Sequence, residues 1–316
     1  MQNRLLEQFR SFYFNNFPDD METQIACFAL FGGLDLKIDT TQPLSELIEH
    51  VILNNFKTID EQMRTLTRND ILNRKLLKAL ATGDRRIFSA FNKAGLNNGN
   101  GGAALNYLQE RGLIQLEYSR EEHPRERYPR MKLKRQEARH RISHKVLFTY
   151  PFLRFWFYFV IPHIKEIEAG EYKKFLQDFQ LRQNSYTSLV YEELSEILLN
   201  YHLRDENILS SGSYWDANLE IDILTVTKQG RIYVGECKWT NHKINKKELH
   251  KIREKCQKLG IEADQIIFFS KRGFSNELQQ MQSASLALYS SEDFKALVKT
   301  KPQTDKPAYP LMTLNA

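Results

Sequence analysis

Residues 219–239, LEIDILTVTKQGRIYVGECKW, decide how this chain is read. Two β-rich runs flank Lys228-Gln229-Gly230, and the glycine sits where a three-residue hairpin loop needs φ > 0. The turn sets the register. With Thr227 paired to Arg231, Asp222 falls directly opposite Glu236, their Cβ atoms about 4.5–5.5 Å apart on one face. Lys238, two residues further, points to the same side. Opposed carboxylates repel, so this arrangement calls for a shared proton or a bound cation.

Ile232 and Val234 share the parity of Glu236 and Lys238, so one strand face begins apolar and ends charged. The other parity, Tyr233, Gly235, Cys237 and Trp239, is largely apolar, which predicts a strand covered on both sides in a mixed sheet. An isolated E-x-K is equally an ordinary surface ion pair of small energetic consequence. The surrounding chain has to distinguish the two.

With 316 residues, 41% of them hydrophobic, the chain can bury real cores in two or three domains. A net charge of +6 permits an anionic partner without demanding one. Its distribution is more telling. Residues 120–145 hold ten Lys or Arg against four Glu, an excess equal to the net charge of the whole chain. Arg125, Arg127, Arg130, Lys132, Lys134 and Arg135 are the centre of that run. Cys27, Cys237 and Cys256 are few and not in a metal-ligand spacing, which predicts reduced thiols, no zinc site and a cytoplasmic location. No apolar run is long enough to span a membrane, and none resembles a signal peptide. The most apolar segment, Tyr150 to Val160, is short, is stopped by Pro162, and reads as an interdomain core helix.

The chain divides into five parts. Residues 1–68 form a helical N-terminal module with loops near Pro18, Gly32-Gly33 and Pro43. Residues 69–145 show three short helices, a strand LIQLEY and a basic ribbon, the pattern of a winged helix-turn-helix with its wing at 121–130. Its third helix is expected from Ala103 to Arg111, after an Asn98–Gly102 loop. No strand precedes that loop and no Gly-Lys-Ser/Thr follows it, so it is not a nucleotide loop. Residues 146–184 are an aromatic helical connector. Residues 185–300 read α-β-β-α-β-α-β, with helices at 185–202, 245–259, 276–283 and 292–299 and strands at 265–270 and 286–290. Residues 301–316 read as a tail. The fold class is α+β and multidomain, with a mixed central sheet in the last large domain.

The helix after Trp239 buries Leu249, Ile252, Cys256 and Leu259. It presents Lys247, Lys251 and Lys255 in an i, i+4, i+8 row. Such a row is a solvated face or, beside a carboxylate pair, a phosphate-facing one.

Glu192, Asp222 and Glu236-Cys237-Lys238, laid on helix, strand and strand, resemble the acidic helix residue, the Asp and the E-x-K of the PD-(D/E)XK nuclease superfamily, which has a restriction-endonuclease-like fold. More narrowly, PFLRFWFYFVIP at 151–162, IEAGEY at 167–172, SGSYWD at 211–216, EIDIL at 220–224 and GECKW at 235–239 are similar to a C-terminal domain of many archaeal and bacterial AAA-type ATPases. That likeness covers about residues 70–300. Family members usually carry an ATPase module ahead of the winged helix, where this chain has its N-terminal helices. Their helix motif reads Gly-x-x-Phe-Glu, against Ser188-Leu189-Val190-Tyr191-Glu192 here, with Glu193 as a competitor for the acidic role.

The resemblance implies a metal-dependent DNA endonuclease. Asp222, Glu236 and the backbone carbonyl of Cys237 would hold Mg²⁺ or Mn²⁺, a hard cation suited to oxygen ligands. Lys238 would steady the attacking water or the transition-state charge on the phosphate, and Glu192 would orient a metal-bound water or help bind a second ion. The winged helix and the Lys row would hold the DNA backbone. A homo-oligomer and an ATPase acting in trans are the further partners this reading allows. A DNA-binding regulator without activity and a protein-interaction adaptor are the alternatives from other classes.

Overall fold

The computed structural model describes residues 2–121, 142–216, 218–302 and 311–313. Helices α1 (Gln2–Asn16) and α2 (Met21–Phe31) open the chain, the second capped by Asp20, whose carboxylate accepts the Thr23 N–H at 2.7 Å. β1 (Leu34–Asp35), α3 (Leu44–Ile48), a π-helical turn (Glu49–Leu53) and α4 (Phe56–Leu66) complete this helical part. α5 (Ile71–Ala81), α6 (Ile87–Ala94) and α7 (Asn98–Glu110) follow, with Gly95 ending α6 at φ +67°. Next come β2 (Ile114–Glu117) and β3 (Lys145–Phe148), an antiparallel ribbon with Ile114 opposite Phe148 and Glu117 opposite Lys145. Arg125, Arg127, Arg130, Lys132, Lys134 and Arg135, between the two strands, lie outside the described residues.

The Asn98–Gly102 stretch is not the loop its glycines suggest but the start of α7. Asn97 caps it by accepting the Asn100 N–H at 2.8 Å. Gly101 faces Phe91 of α6 so closely that a Cβ would lie 2.7 Å from the ring. Its glycine is a packing residue, which composition alone reads as a turn.

α8 (Pro151–Phe155) passes into a π-helical turn at Trp156–Val160, followed by α9 (Ile164–Glu168) and α10 (Lys173–His202). Phe152, Phe155, Trp156 and Phe159 are fully buried, where the segment meets α2, α5 and α10. Each such ring contributes about 1.5–3 kcal/mol by burial, so this segment joins the helical parts into one core. α10 runs unbroken for 30 residues, so the backbone shows no break at Ser185, where the sequence suggests the last domain begins.

Beyond α10 lie β4 (Ile208–Ser210), β5 (Tyr214–Trp215), β6 (Glu220–Ile221), β7 (Ile223–Thr227) and β8 (Ile232–Lys238). Then come α11 (Lys246–Leu259), β9 (Gln265–Ser270), α12 (Asn276–Gln280) and β10 (Leu286–Ser290). The main sheet has the order β10-β9-β8-β7-β4, parallel from β10 to β8 and antiparallel from β8 to β4. It is a mixed sheet in an α+β chain. Tyr233, Cys237, Ile267 and Phe269 face α10 and the N-terminal helices; Val234, Ile266 and Phe268 face α11 and α12. The expected helix at 292–299 is a 3-10 helix, Ser291–Val298, and α12 is shorter than its pattern suggested. β11 (Met312–Thr313) pairs in parallel with β1, so part of the expected tail is built into the N-terminal region. No helix among the described residues is long and apolar enough to cross a membrane.

Replacing a helical glycine by alanine ordinarily stabilises by roughly 0.5–1 kcal/mol. Gly101→Ala should instead destabilise by about 1–3 kcal/mol through the clash with Phe91. Urea unfolding followed by circular dichroism checks this, and an unchanged or higher midpoint would mean that α7 can retreat from α6.

Candidate active site

The β7–β8 hairpin has the register its turn demands. The Thr227 N–H donates to the Arg231 carbonyl at 3.0 Å, Gly230 has φ +82°, and the ladder runs Val226↔Ile232 to Ile223↔Gly235. The next position in that register pairs Asp222 with Glu236, and there the strands part. β6 turns away to pair with β5, leaving Asp222 at a bend. Its carboxylate takes the place of a strand acceptor, receiving the Cys237 N–H at 2.8 Å. Gly235 lets the strands close tightly just before they diverge, since a Cβ there would lie 3.0 Å from Ile223 Cβ.

The two opposed carboxylates differ sharply in environment. Burial, with Glu192 and then Glu236 nearby, pushes the Asp222 carboxyl well above the usual carboxylate range, against the pull of the Cys237 N–H and Lys238. Burial also opposes ionisation of Glu236, but Lys238 and Lys255 outweigh it and hold that carboxyl below its ordinary value. Their ammonium groups take one oxygen each, Lys238 on Oε1 at 2.5 Å and Lys255 on Oε2 at 2.8 Å. Lys238 is partly buried, and despite that burial Glu236 raises its affinity for its proton.

α10 supplies the third carboxyl. Burial pushes Glu192 up to about 7, with Arg85 opposing and Glu220 and Glu193 adding to the shift. Glu193 is also pushed to about 7 by burial, but Arg85 and Arg154 are its principal charged neighbours. Glu192 raises the Asp222 carboxyl, and Glu193 lines the same cavity. Both side chains keep part of their surface accessible while their carboxyls sit low in a cleft. Arg154 is buried beneath, donating to the Tyr186 carbonyl at 2.9 Å with its guanidinium 4.3 Å from the Tyr186 ring.

The β2–β3 ribbon closes this cleft. Glu117 accepts the Ser213 hydroxyl at 2.5 Å, and Arg120 donates to the carbonyls of Gly212, Ser213 and Leu224. Buried Lys145 pairs with Glu220 at 2.5 Å and lies 4.5 Å from the Trp215 ring. What remains among Arg85, Glu117, Glu192, Glu193 and Asp222 is a cavity of about 30 Å³, room for roughly one water or ion. Among the described residues, no three His, Cys, Asp or Glu side chains already converge on one point. The donor set nevertheless suits a hard divalent ion: carboxyls carrying excess protons beside one another are what such a cation would relieve.

The predicted residues therefore separate. Glu192, Asp222, Glu236 and Lys238 gather where β7 and β8 diverge. Of the Lys row, Lys255 reaches in to Glu236, Lys251 pairs with Glu248 at 2.7 Å on the surface, and Lys247 is exposed. Arg85, Arg154 and Glu117 were not singled out by sequence; they come from remote elements, and the one local oddity, φ +64° at Arg85, is visible only in the backbone.

A family model described as archaeal and bacterial proteins of unknown function, DUF234, matches residues 156–252. That stretch contains all four gathered residues. No curated protein matches the chain. A crystal structure of protein VC1899 from Vibrio cholerae aligns at 16% identity with a TM-score of 0.28, over 76% of this chain and 54% of that one. The chain thus spans about half the length of that structure, and a likeness at this level decides nothing about fold.

Folded Glu192 holds its proton to about pH 7, whereas an unfolded glutamate releases it near 4.5. The native state binds more protons in that window, so stability falls as pH rises through it. Glu192→Gln should raise the melting temperature at about pH 8, by the equivalent of up to about 3 kcal/mol, with the gain shrinking towards pH 4.5. Thermal melts across pH check it; a gain independent of pH would show that Glu192 is not held protonated.

Proposed function

We propose that this chain hydrolyses phosphodiester bonds in DNA with a divalent metal ion, in a centre of the PD-(D/E)XK nuclease type. The observation that carries this reading is the meeting of Glu192, Asp222, Glu236 and Lys238 where β7 and β8 diverge. The element order supports it: helix α10, three antiparallel strands β4, β7 and β8, then α11 and the parallel β9. In this reading the acidic helix residue is Glu192 on α10, the Asp is Asp222 at the bend between β6 and β7, and the E-x-K is the end of β8.

Mg²⁺ or Mn²⁺ held by Asp222, Glu236 and the Cys237 carbonyl would supply Lewis-acid activation of the phosphate and its water. The chain's own groups do the rest. Asp222 gives up its proton, and Glu236 releases one of its two ammonium partners. Lys255, reaching in from α11, then meets a phosphate oxygen, while Lys238 stays beside the reacting group and balances developing negative charge. Glu192 would orient the attacking water or help to bind a second ion.

Helices α5–α7 and the β2–β3 ribbon serve, in this proposal, as a winged helix that grips DNA. α7 carries no Lys or Arg, so in this reading the grip comes from Arg125, Arg127, Arg130, Lys132, Lys134 and Arg135. One observation favours a second reading, a DNA-binding regulator without activity: both oxygens of Glu236 are already neutralised by lysines.

Asp222→Asn should abolish Mg²⁺-dependent cleavage of single- and double-stranded DNA while leaving binding intact or slightly tighter. Wild-type protein that binds DNA but cuts none with Mg²⁺ or Mn²⁺ establishes the regulator instead. Binding should weaken steeply with salt, log K falling linearly with log[salt]. A protein that neither cuts DNA nor binds it in a salt-sensitive way is an adaptor.

A further inference from the structure

A second cleft, larger than the acidic one, opens where β8 and β9 end. Both strands run the same way and finish at Lys238 and Ser270. The chain leaving them, through Trp239 and Asn241 on one side and Lys271-Arg272 on the other, forms one wall. α2 and residues 40–44 form the roof, enclosing about 490 Å³. That is within the range of small-molecule sites, and the carboxyl ends of parallel strands are where open α/β sheets bind ligands.

Its chemistry is cationic and rich in hydrogen-bonding groups. Lys271 and Arg272 both lean on a single carboxylate, Glu22, at 3.1 Å each. Two positive charges thus share one negative charge. The Lys271 ammonium is nearly desolvated, its side chain 9% exposed, and sits 4.9 Å from the Trp239 ring centroid. It also donates to the carboxamide oxygens of Asn184 at 3.5 Å and Asn241 at 3.2 Å. Those contacts use the amide oxygens and leave the NH₂ groups as donors. Arg272 is half exposed, with one guanidinium nitrogen on Glu22 and further N–H donors at the mouth of the cleft.

We propose that this cleft binds a phosphorylated ligand of nucleotide size, with its phosphate on Lys271 and Arg272. Glu22 acts as a resident counter-ion that the phosphate displaces. A phosphate matches the paired cations better than a single carboxylate does, because it offers more acceptor oxygens and more charge. The carboxamides of Gln183, Asn184 and Asn241 meet the polar remainder, pairing with base edges as Asn and Gln side chains do. The proposal does not depend on the nuclease reading, since none of these residues belongs to the acidic cluster.

The full chain is titrated by calorimetry with inorganic phosphate, with 5′-AMP and with a short single-stranded oligonucleotide, while tryptophan fluorescence is recorded. AMP should bind saturably and more tightly than phosphate, with a change in emission as the ammonium moves off Trp239. Arg272→Ala, at a half-exposed position that leaves the core intact, should weaken AMP roughly tenfold, about one charge-assisted contact. Lys271→Met should remove the emission change. An oligonucleotide that competes with AMP identifies a nucleic-acid strand as the source of the phosphate, and one that does not identifies a free nucleotide. No saturable binding of any probe at millimolar concentration overturns the proposal. So does binding unchanged in both variants, which would leave Glu22, Lys271 and Arg272 as a clamp between two parts of the fold.

Discussion

The burial of Arg154 governs much of this structure. A guanidinium taken out of water costs several kcal/mol unless it is met by partners, and here they are the Tyr186 carbonyl and ring and the negative field of Glu193. Two of them, Tyr186 and Glu193, lie about two turns apart on one face of α10 and set the rotation of that helix about its axis. Glu192, one residue before Glu193 and about 100° around the helix, is turned towards the β7–β8 hairpin. The aromatic segment that carries Arg154 therefore orients a carboxyl it does not touch.

Asp222 and Glu236 show how position and environment part company. They are successors in the same register, yet one is driven towards its protonated form and the other is held ionised. Strand geometry explains the difference. Where the ladder ends, Asp222 bends towards α10 and a carboxyl-lined cleft, while Glu236 stays on the face that α11 covers and meets two lysines. A bend of a single residue at the end of β6 places like-charged neighbours in opposite fields.

Much of this organisation is legible in the sequence where short-range chemistry decides it. The hairpin register follows from Gly230, and β9 and β10 begin and end where their apolar runs do, because a buried strand needs nothing else. Other features depend on remote partners. The glycines of α7 imply a loop until Phe91 is seen against Gly101. The polar first half of α10 conceals its continuity with the second. The meeting of Asp222, Glu236 and Lys238 could be anticipated from parity and spacing, whereas only the family resemblance joins Glu192 to them. Arg85, Glu117 and the inward reach of Lys255 could not, since each comes from an element whose approach no local pattern encodes.

The N-terminal helices are completed by residues from much later in the chain. Arg10 donates to the carbonyl of Leu297, 287 residues away, and β1 finds its partner in β11. During synthesis the apolar faces of α1 and α2 emerge well before Leu297 and β11, which complete them. Assembly of this protein is accordingly non-vectorial. This helical region is among the last to be finished, and until then its apolar faces need shielding from other chains.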